Sequence, residues 1–330
     1  LKDDSLTIGG QAVIEGVMMR SPDLVVTSVR RPGGDITSRS EPFVSVTKRN
    51  RLLGIPVVRG AIALFETLFI GIKSLSYSAE VASLDAGADA GAGEEAAGDE
   101  ATGEKRGADK AARPGQGGWK SSLSMGGTMV LALALGLLLF FWLPLVIAEL
   151  AGVKGSVLFN VVDGLVRLAI FFIYLALISM WRDMRRVFEY HGAEHKCITT
   201  YEDGDELTLE NAKRHTTRHR RCGTSFLLIV MVIAIIVFIF LGRPESVGDR
   251  LKRFLLVPLI AGISYELTRL AGRRSGGAFL NIVTTPGLLL QRFTTREPSD
   301  DQIEVALDAL KRALRMEVGE SDVGSTQASS

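Results

Sequence analysis

The feature that most limits the folds open to this chain is a run of about twenty apolar residues, Thr128–Ile147, long enough to cross a bilayer as a helix. In hydrocarbon every backbone N–H and C=O must be bonded within the protein, so such a run predicts a helix rather than an open strand. Three further stretches read the same way. Leu165–Trp181 is lengthened by Val157–Val162, Ser225–Leu241 is almost wholly aliphatic, and Phe254–Leu270 is interrupted by Pro258, Gly262 and Glu266. The predicted fold class is therefore an α-helical polytopic membrane protein, with about four transmembrane helices and a small cytoplasmic α/β part. A hydrophobic content of 47%, gathered into runs, agrees with this and argues against one large soluble core. The first residues, LKDDSLTIGG, lack the apolar core of a signal peptide, so entry into the membrane is expected to use internal segments.

Charge near the ends of the runs sets the expected orientation. Arg182, Arg185 and Arg186 follow the second run, and Arg218, Arg220 and Arg221 precede the third. The positive-inside rule then puts the loop between them in the cytoplasm. The loop Gly242–Arg253 opposes this rule, because it should be external yet carries Arg243, Arg250, Lys252 and Arg253.

The rest of the chain divides by composition. Residues 1–54 form a β-containing cytoplasmic element, with a strand at Leu24–Arg30, turn chemistry at Pro32-Gly33-Gly34-Asp35 and a short return strand at Ile36–Arg39. Residues 55–80 predict an amphipathic or membrane-associated helix, with Arg59 and Glu66 on one face. Residues 81–120, rich in Ala, Gly, Glu and Asp, predict a disordered acidic linker. Residues 121–181 hold the first pair of spans, 182–224 the loop and 225–272 the second pair. Residues 273–330 hold a surface-lying or re-entrant piece, a capped amphipathic helix from Ser299 and a frayed tail.

Chemistry concentrates in the loop 182–224. All four histidines (His191, His195, His215, His219) and both cysteines (Cys197, Cys222) lie there. Two cysteines in a basic, His-rich loop fit thiols or metal ligands better than a disulfide framework. His191, Glu194 and His195 spell H-x-x-E-H, the order of the inverted zinc-peptidase signature, and both histidines project from one face if the segment is helical. Gly192 disfavours that helix by about 1 kcal/mol relative to Ala, which leaves a turn open as the alternative. His219 and Cys222, three apart, are candidate ligands from a second segment, and a helix starting near Thr208 brings them back towards the first. Glu15 reads as a turn carboxylate with acid–base work as the lesser option. Tyr201, Glu202 and Asn211 read as residues that bond the local backbone, with support of the ligands as the lesser option. Two other readings of the loop stay open: a solvated basic rim and a closed structural zinc site.

Four stretches together, GGQAVIEGVMMRSP, EYHGAEHK, HRRCGTSFL and TTPGLLLQRFTTREPSDDQIEVAL, resemble the YqhQ-like family of bacterial multi-pass membrane proteins, a domain of unknown function described as predicted metal-dependent enzymes. The resemblance implies that His191, Glu194, His195, His219 and Cys222 occupy family-motif positions, as do Gln11, Glu15 and Arg20. His215 and Cys197 stand where other residue types are usual.

The sequence thus predicts a zinc-dependent enzyme of the bacterial inner membrane, hydrolytic, with its centre facing the cytoplasm. His191 and His195 are the expected metal ligands, His219 and Cys222 the remaining ligand candidates, and Glu194 the general base or a further ligand. The alternative is a non-enzymatic membrane assembly or scaffold factor with a structural metal or none. The lipid bilayer is an expected partner, beside an unidentified substrate or protein. No nucleic acid is expected, because membrane orientation already accounts for the arginines.

Overall fold

The computed structural model of the protein describes residues 8–49, 51–94, 119–271 and 278–316. Its first elements are an antiparallel meander, β1 (Gly9–Val13), β2 (Gly16–Arg20), β3 (Leu24–Arg30) and β4 (Ile36–Pro42), paired in sequence order. The β3–β4 hairpin is the one expected, with Gly34 at φ 95° in its turn. The β1–β2 hairpin was not foreseen, for a physical reason. Val17 and Met19 of β2 enter one apolar core while Met18 enters another, so the strand is buried on both faces and shows no alternation.

The helices follow as α1 (Val46–Arg49), α2 (Val58–Glu94), α3 (Trp119–Leu137), α4 (Leu143–Leu150), α5 (Ser156–Met180), α6 (Arg182–Asp203) and α7 (Leu209–Arg214). After them come α8 (Gly223–Leu241), α9 (Val247–Leu255), α10 (Val257–Ala271), α11 (Ala278–Thr294) and α12 (Asp300–Ala313). Helices α3 and α4 are joined by a π-helical turn, Leu138–Trp142. Pro144 lies just beyond it and has no N–H to offer the carbonyl four residues back, which favours the wider turn.

Among the described residues, three stretches are long and apolar enough to cross a membrane: Val130–Leu150, Ser156–Met180 and Gly223–Leu241. They match the first three predicted spans. Their outward faces leave Leu133, Leu165, Leu177 and Phe240 exposed, an apolar surface that water does not suit. The fourth predicted stretch, the weakest of the four and open to a kinked or re-entrant reading, is mostly α10, with Phe254 and Leu255 ending α9; a fourth span is not shown among the described residues. Two further expectations change. Helix α2 runs on to Glu94, so the segment to that point is helical rather than linker, while the rest of the predicted linker to residue 118 lies outside the described residues. The segment read as surface-lying or re-entrant is helix α11, which tolerates Pro286 in its interior.

Arg59 and Glu66 do not meet the same group. Arg59 makes a bidentate pair with Glu266 of α10, at 2.7 and 2.5 Å. Glu66 accepts bonds from the Ser45 hydroxyl and the Val46 N–H and pairs with Arg20 at 3.6 Å. Helix α2 is thereby tied at its start to α10 and further along to the chain just after the sheet.

The main core lies between one face of the sheet, α6 and α12. Val17, Met19 and Val26 meet Tyr190, Ala193 and Cys197 from α6 and Ile303, Ala306 and Leu310 from α12. The amphipathic helix predicted after Ser299 therefore packs on its own protein, with Ser299 and Gln302 forming a capping box. Its one buried carboxylate, Asp308, accepts bonds from Ser28 (2.7 Å) and Ser38 (2.6 Å) and pairs with Arg312. The opposite sheet face packs on Ile70 and Val81 of α2.

Candidate metal centre

Helix α6 continues without interruption through Gly192, so His191 and His195 stand one turn apart on one face. A side chain at Gly192 would collide with the Arg296 carbonyl oxygen. The glycine that weakens the helix in isolation is the residue that lets α6 touch the segment after α11. There the Arg296 N–H donates to the Phe188 carbonyl at 2.9 Å.

Each histidine is aimed by a backbone carbonyl. His191 Nδ1 lies 2.7 Å from Thr294 O, and His195 Nδ1 lies 2.6 Å from Thr217 O. Donation from Nδ1–H fixes the tautomer and leaves each Nε2 with a lone pair facing inwards, the arrangement a metal ligand requires. Cys222 arrives from the other side as the N-cap of α8, and its Sγ lies 3.3 Å from His191 Nε2. The Thr224 N–H points at the same sulfur from 3.4 Å.

One ligand atom from each of His191, His195 and Cys222 lies within 4.8 Å of the other two. Ligands bonded to one tetrahedral zinc stand about 3.3–3.8 Å apart, as its bond lengths dictate. A small contraction therefore fits the set to a metal, and two imidazoles with a thiolate suit a borderline-soft ion.

Glu194 lies beside this group, with its Oε2 3.8 Å from His191 Nε2. Its carboxylate packs on the backbone of β1, where a Cβ at Gly10 would come within 2.7 Å of Glu194 Oε1. The His219 ring centroid is 5.6 Å from that of His195, and its Nε2 faces Glu202 Oε1 at 3.3 Å. Gln291, fully buried on α11, holds the His219 backbone. Its Oε1 accepts from the His219 N–H and its Nε2 donates to the His219 carbonyl, both at 2.8 Å, and also to Ser225 Oγ at 2.9 Å.

The electrostatics follow from burial and closeness. Burial pushes the Glu194 carboxyl up, and the neighbouring His195 and His191 only partly oppose it. Burial alone would lower His191, but the Cys222 thiolate at its side raises it to about 9. Burial would likewise raise the Cys222 thiol, and the His191 imidazolium overrides it, holding the group well below the usual thiol range. Burial lowers His219. The two shifts favour one proton held between His191 Nε2 and Cys222 Sγ, a position that a bound cation would take in its place.

The structure thus brings His191, His195 and Cys222 together, with Glu194 and His219 at their flanks. His215 lies apart, paired with Asp205 at 2.9 Å, and Cys197 is sealed in the sheet–helix core. Glu15 is a turn residue at φ 51° whose carboxylate pairs with Arg186. Asn211 bonds the local backbone as expected, whereas Glu202 pairs with both His219 and Arg221. The contributions of Thr294, Thr217, Gly10 and Gln291 were not foreseen. Carbonyl acceptors and missing side chains leave no pattern in a sequence, and a single Gln in an apolar stretch resembles any other polar break.

Comparison with known proteins agrees with this set of motifs. The family described as "Protein of unknown function (DUF1385)" matches residues 55–316. The chain is 32% identical over 313 residues to "Uncharacterized protein YqhQ" of Bacillus subtilis (strain 168), covering 94% of this chain and 92% of that protein. No solved structure matches. A family match over most of the chain and a relative aligned along nearly its whole length show that this protein belongs to the DUF1385 family.

Proposed function

We propose that this protein is a metal-dependent hydrolase of the bacterial inner membrane, with its metal centre at the cytoplasmic face. The observation that carries the reading is the convergence of three soft ligand atoms with a buried carboxylate beside them. Three protein ligands leave one position of a tetrahedral ion free, the arrangement of catalytic rather than structural zinc. His191, His195 and Cys222 hold the ion, zinc by its preference for nitrogen and sulfur. When bound, it supplies Lewis-acid polarisation for attack by water. Glu194 receives and returns the proton, and its raised pKa brings it nearer the working pH of a general base. His219 lines the site behind His195.

The membrane reading rests on the three apolar helices and their exposed faces. The orientation rests on the arginines that flank α6 and precede α8. Two of the opposing arginines are taken up by partners: Arg253 is buried against Asn160, and Arg250 pairs with Glu149 at 2.7 Å.

A second reading has its own observation. His195, Glu194 and Cys222 are all buried, and Glu194 is close enough to move in as a fourth ligand, which would close a structural site in a membrane assembly factor. One substitution separates the two readings. On the enzymatic reading Glu194→Gln keeps stoichiometric metal and thermal stability in the purified protein, yet fails to complement a deletion strain. Loss of metal from this variant identifies Glu194 as a ligand, and full complementation by metal-replete protein removes it from catalysis. Metal analysis of His195→Ala and Cys222→Ser tests the centre itself. Each is expected to lose most of the metal, and the double variant is expected to be little worse, because the ligands act as one unit. Wild-type protein purified without chelators and free of transition metal would defeat both metal readings.

A further inference from the structure

At the far end of the helical bundle from the metal centre lies a second group of buried charges. Arg167 and Asp163 of α5 pair at 2.9 Å, and Arg253 of α9 donates to Asn160 Oδ1 at 2.7 Å and to the Gly242 carbonyl at 2.5 Å. All four side chains are buried, Asp163, Asn160 and Arg253 to within 1% of complete burial. Phe238 of α8 lies against both guanidinium groups, its ring centroid 5.5 Å from Arg167 and 4.9 Å from Arg253. Asp163 is within electrostatic reach of both cations. Its neighbours outside the group are already matched, since Arg250 pairs with Glu149 and Asp249 with Lys252.

Two features of this group are unexplained by packing. The first is charge: two guanidinium cations face one carboxylate, leaving one positive charge in excess inside an apolar bundle, where an uncompensated ion is costly. The second is hydrogen bonding. Arg167 Nε, Arg253 Nη1 and Asp163 Oδ1 are each inaccessible to solvent and without a hydrogen-bond partner among the described residues. Buried polar atoms left in this way call for a water or an ion. A ligand of charge −1 that accepts two hydrogen bonds and donates one would answer both features.

We propose that the Asp163–Arg167–Arg253 cluster binds a small monovalent oxyanion that carries one proton, of the class of bicarbonate or dihydrogen phosphate. Its oxygens accept from Arg167 Nε and Arg253 Nη1, and its O–H donates to Asp163 Oδ1. A halide balances the charge but leaves Asp163 Oδ1 unmet. A water meets the hydrogen bonds but leaves the charge. The site is independent of the metal centre: α8 has Cys222 at its start and Gly242 at its end, so the two sites lie roughly 28 Å apart by helix rise.

The test uses the full-length protein purified in detergent, with thermal unfolding followed in sodium bicarbonate, phosphate, chloride or gluconate at constant ionic strength. Bicarbonate or phosphate is expected to raise Tm by about 5–10 °C at a hundredfold excess over Kd, relative to chloride and gluconate. Whichever of the two acts at the lower concentration is the better ligand. In Arg167→Gln the remaining Arg253 and Asp163 are neutral together, so the rise is expected to vanish. In Asp163→Asn the acceptor for the ligand's proton is replaced by an amide that can donate, so the preference is expected to shift to chloride. Equal stabilisation by chloride in the wild type, an unchanged rise in Arg167→Gln, or an unchanged preference in Asp163→Asn would overturn the assignment. If no anion stabilises the wild type, water alone fills the cluster and the proposal fails.

Discussion

A methyl group on Gly192 would drive into the Arg296 carbonyl oxygen, and this one clash separates two opposed expectations for Gly192→Ala. Helix propensity favours the substitution by about 1 kcal/mol. Overpacking against an immovable backbone opposes it by about 1–3 kcal/mol. The contact lies between His191 and the segment that aims it, so the second effect is expected to win. Tm should fall, and metal content should fall with it; a more stable Gly192→Ala protein would show that α6 and the Arg296 segment separate easily. At this scale the grouping of His191, His195 and Cys222 was legible, because His and Cys are rare in this chain and their spacing is chemical. What orients them was not. Thr294 O and Thr217 O are main-chain atoms that every residue possesses, and Gly10 contributes only by lacking a side chain.

Helix α12 shows how far an element can be read before its partner is known. Its caps, period and length were all visible, and so was its role of packing on its own protein. The surface it covers was not, because β2 is buried on both faces and was hidden as a strand. The join is made by Asp308, with Ser28 and Ser38 donating to one of its oxygens. Asp308→Ala leaves both hydroxyls and Arg312 without their acceptor, and is expected to cost about 2–4 kcal/mol in denaturant unfolding of the body formed by the sheet, α6 and α12. Asp308→Asn, which keeps an acceptor, should cost less. Equal costs for the two would show that charge rather than hydrogen bonding makes the join. The apolar helices α5 and α8 were the most legible elements, since unbroken hydrophobicity needs no partner to be recognised. Helix α9 was hidden because Arg250, Lys252 and Arg253 make most of it read as a charged loop, while Phe254–Leu270 is almost wholly α10, with Pro258 at a permitted first-turn position.

On the scale of the whole molecule, the sheet, α6 and α12 form one body, and α3–α5 with α8 form the apolar bundle. The proposed orientation is checked with single cysteines at the exposed positions Glu206 and Lys154, in a background of Cys197→Ala and Cys222→Ser. An impermeant thiol reagent applied to intact cells is expected to label Lys154→Cys and spare Glu206→Cys, and the reverse pattern would invert the molecule. The bond from Ser28 to Asp308 joins residues 280 apart in sequence, with every apolar helix made between them. This has a consequence for biosynthesis. The first strands leave the ribosome long before α12 exists, so their apolar face must wait, uncovered, through insertion of the whole bundle. The metal centre waits too, since Thr294 and Arg296 come late in the chain. A chain ended after Glu297 keeps Thr294 and Arg296 but lacks α12, and should therefore insert normally, yet be cleaved by protease within residues 8–54. Helix α12 would then be the element that closes the sheet, and the apolar face of β2 and β3 would be sheltered only once it has been made.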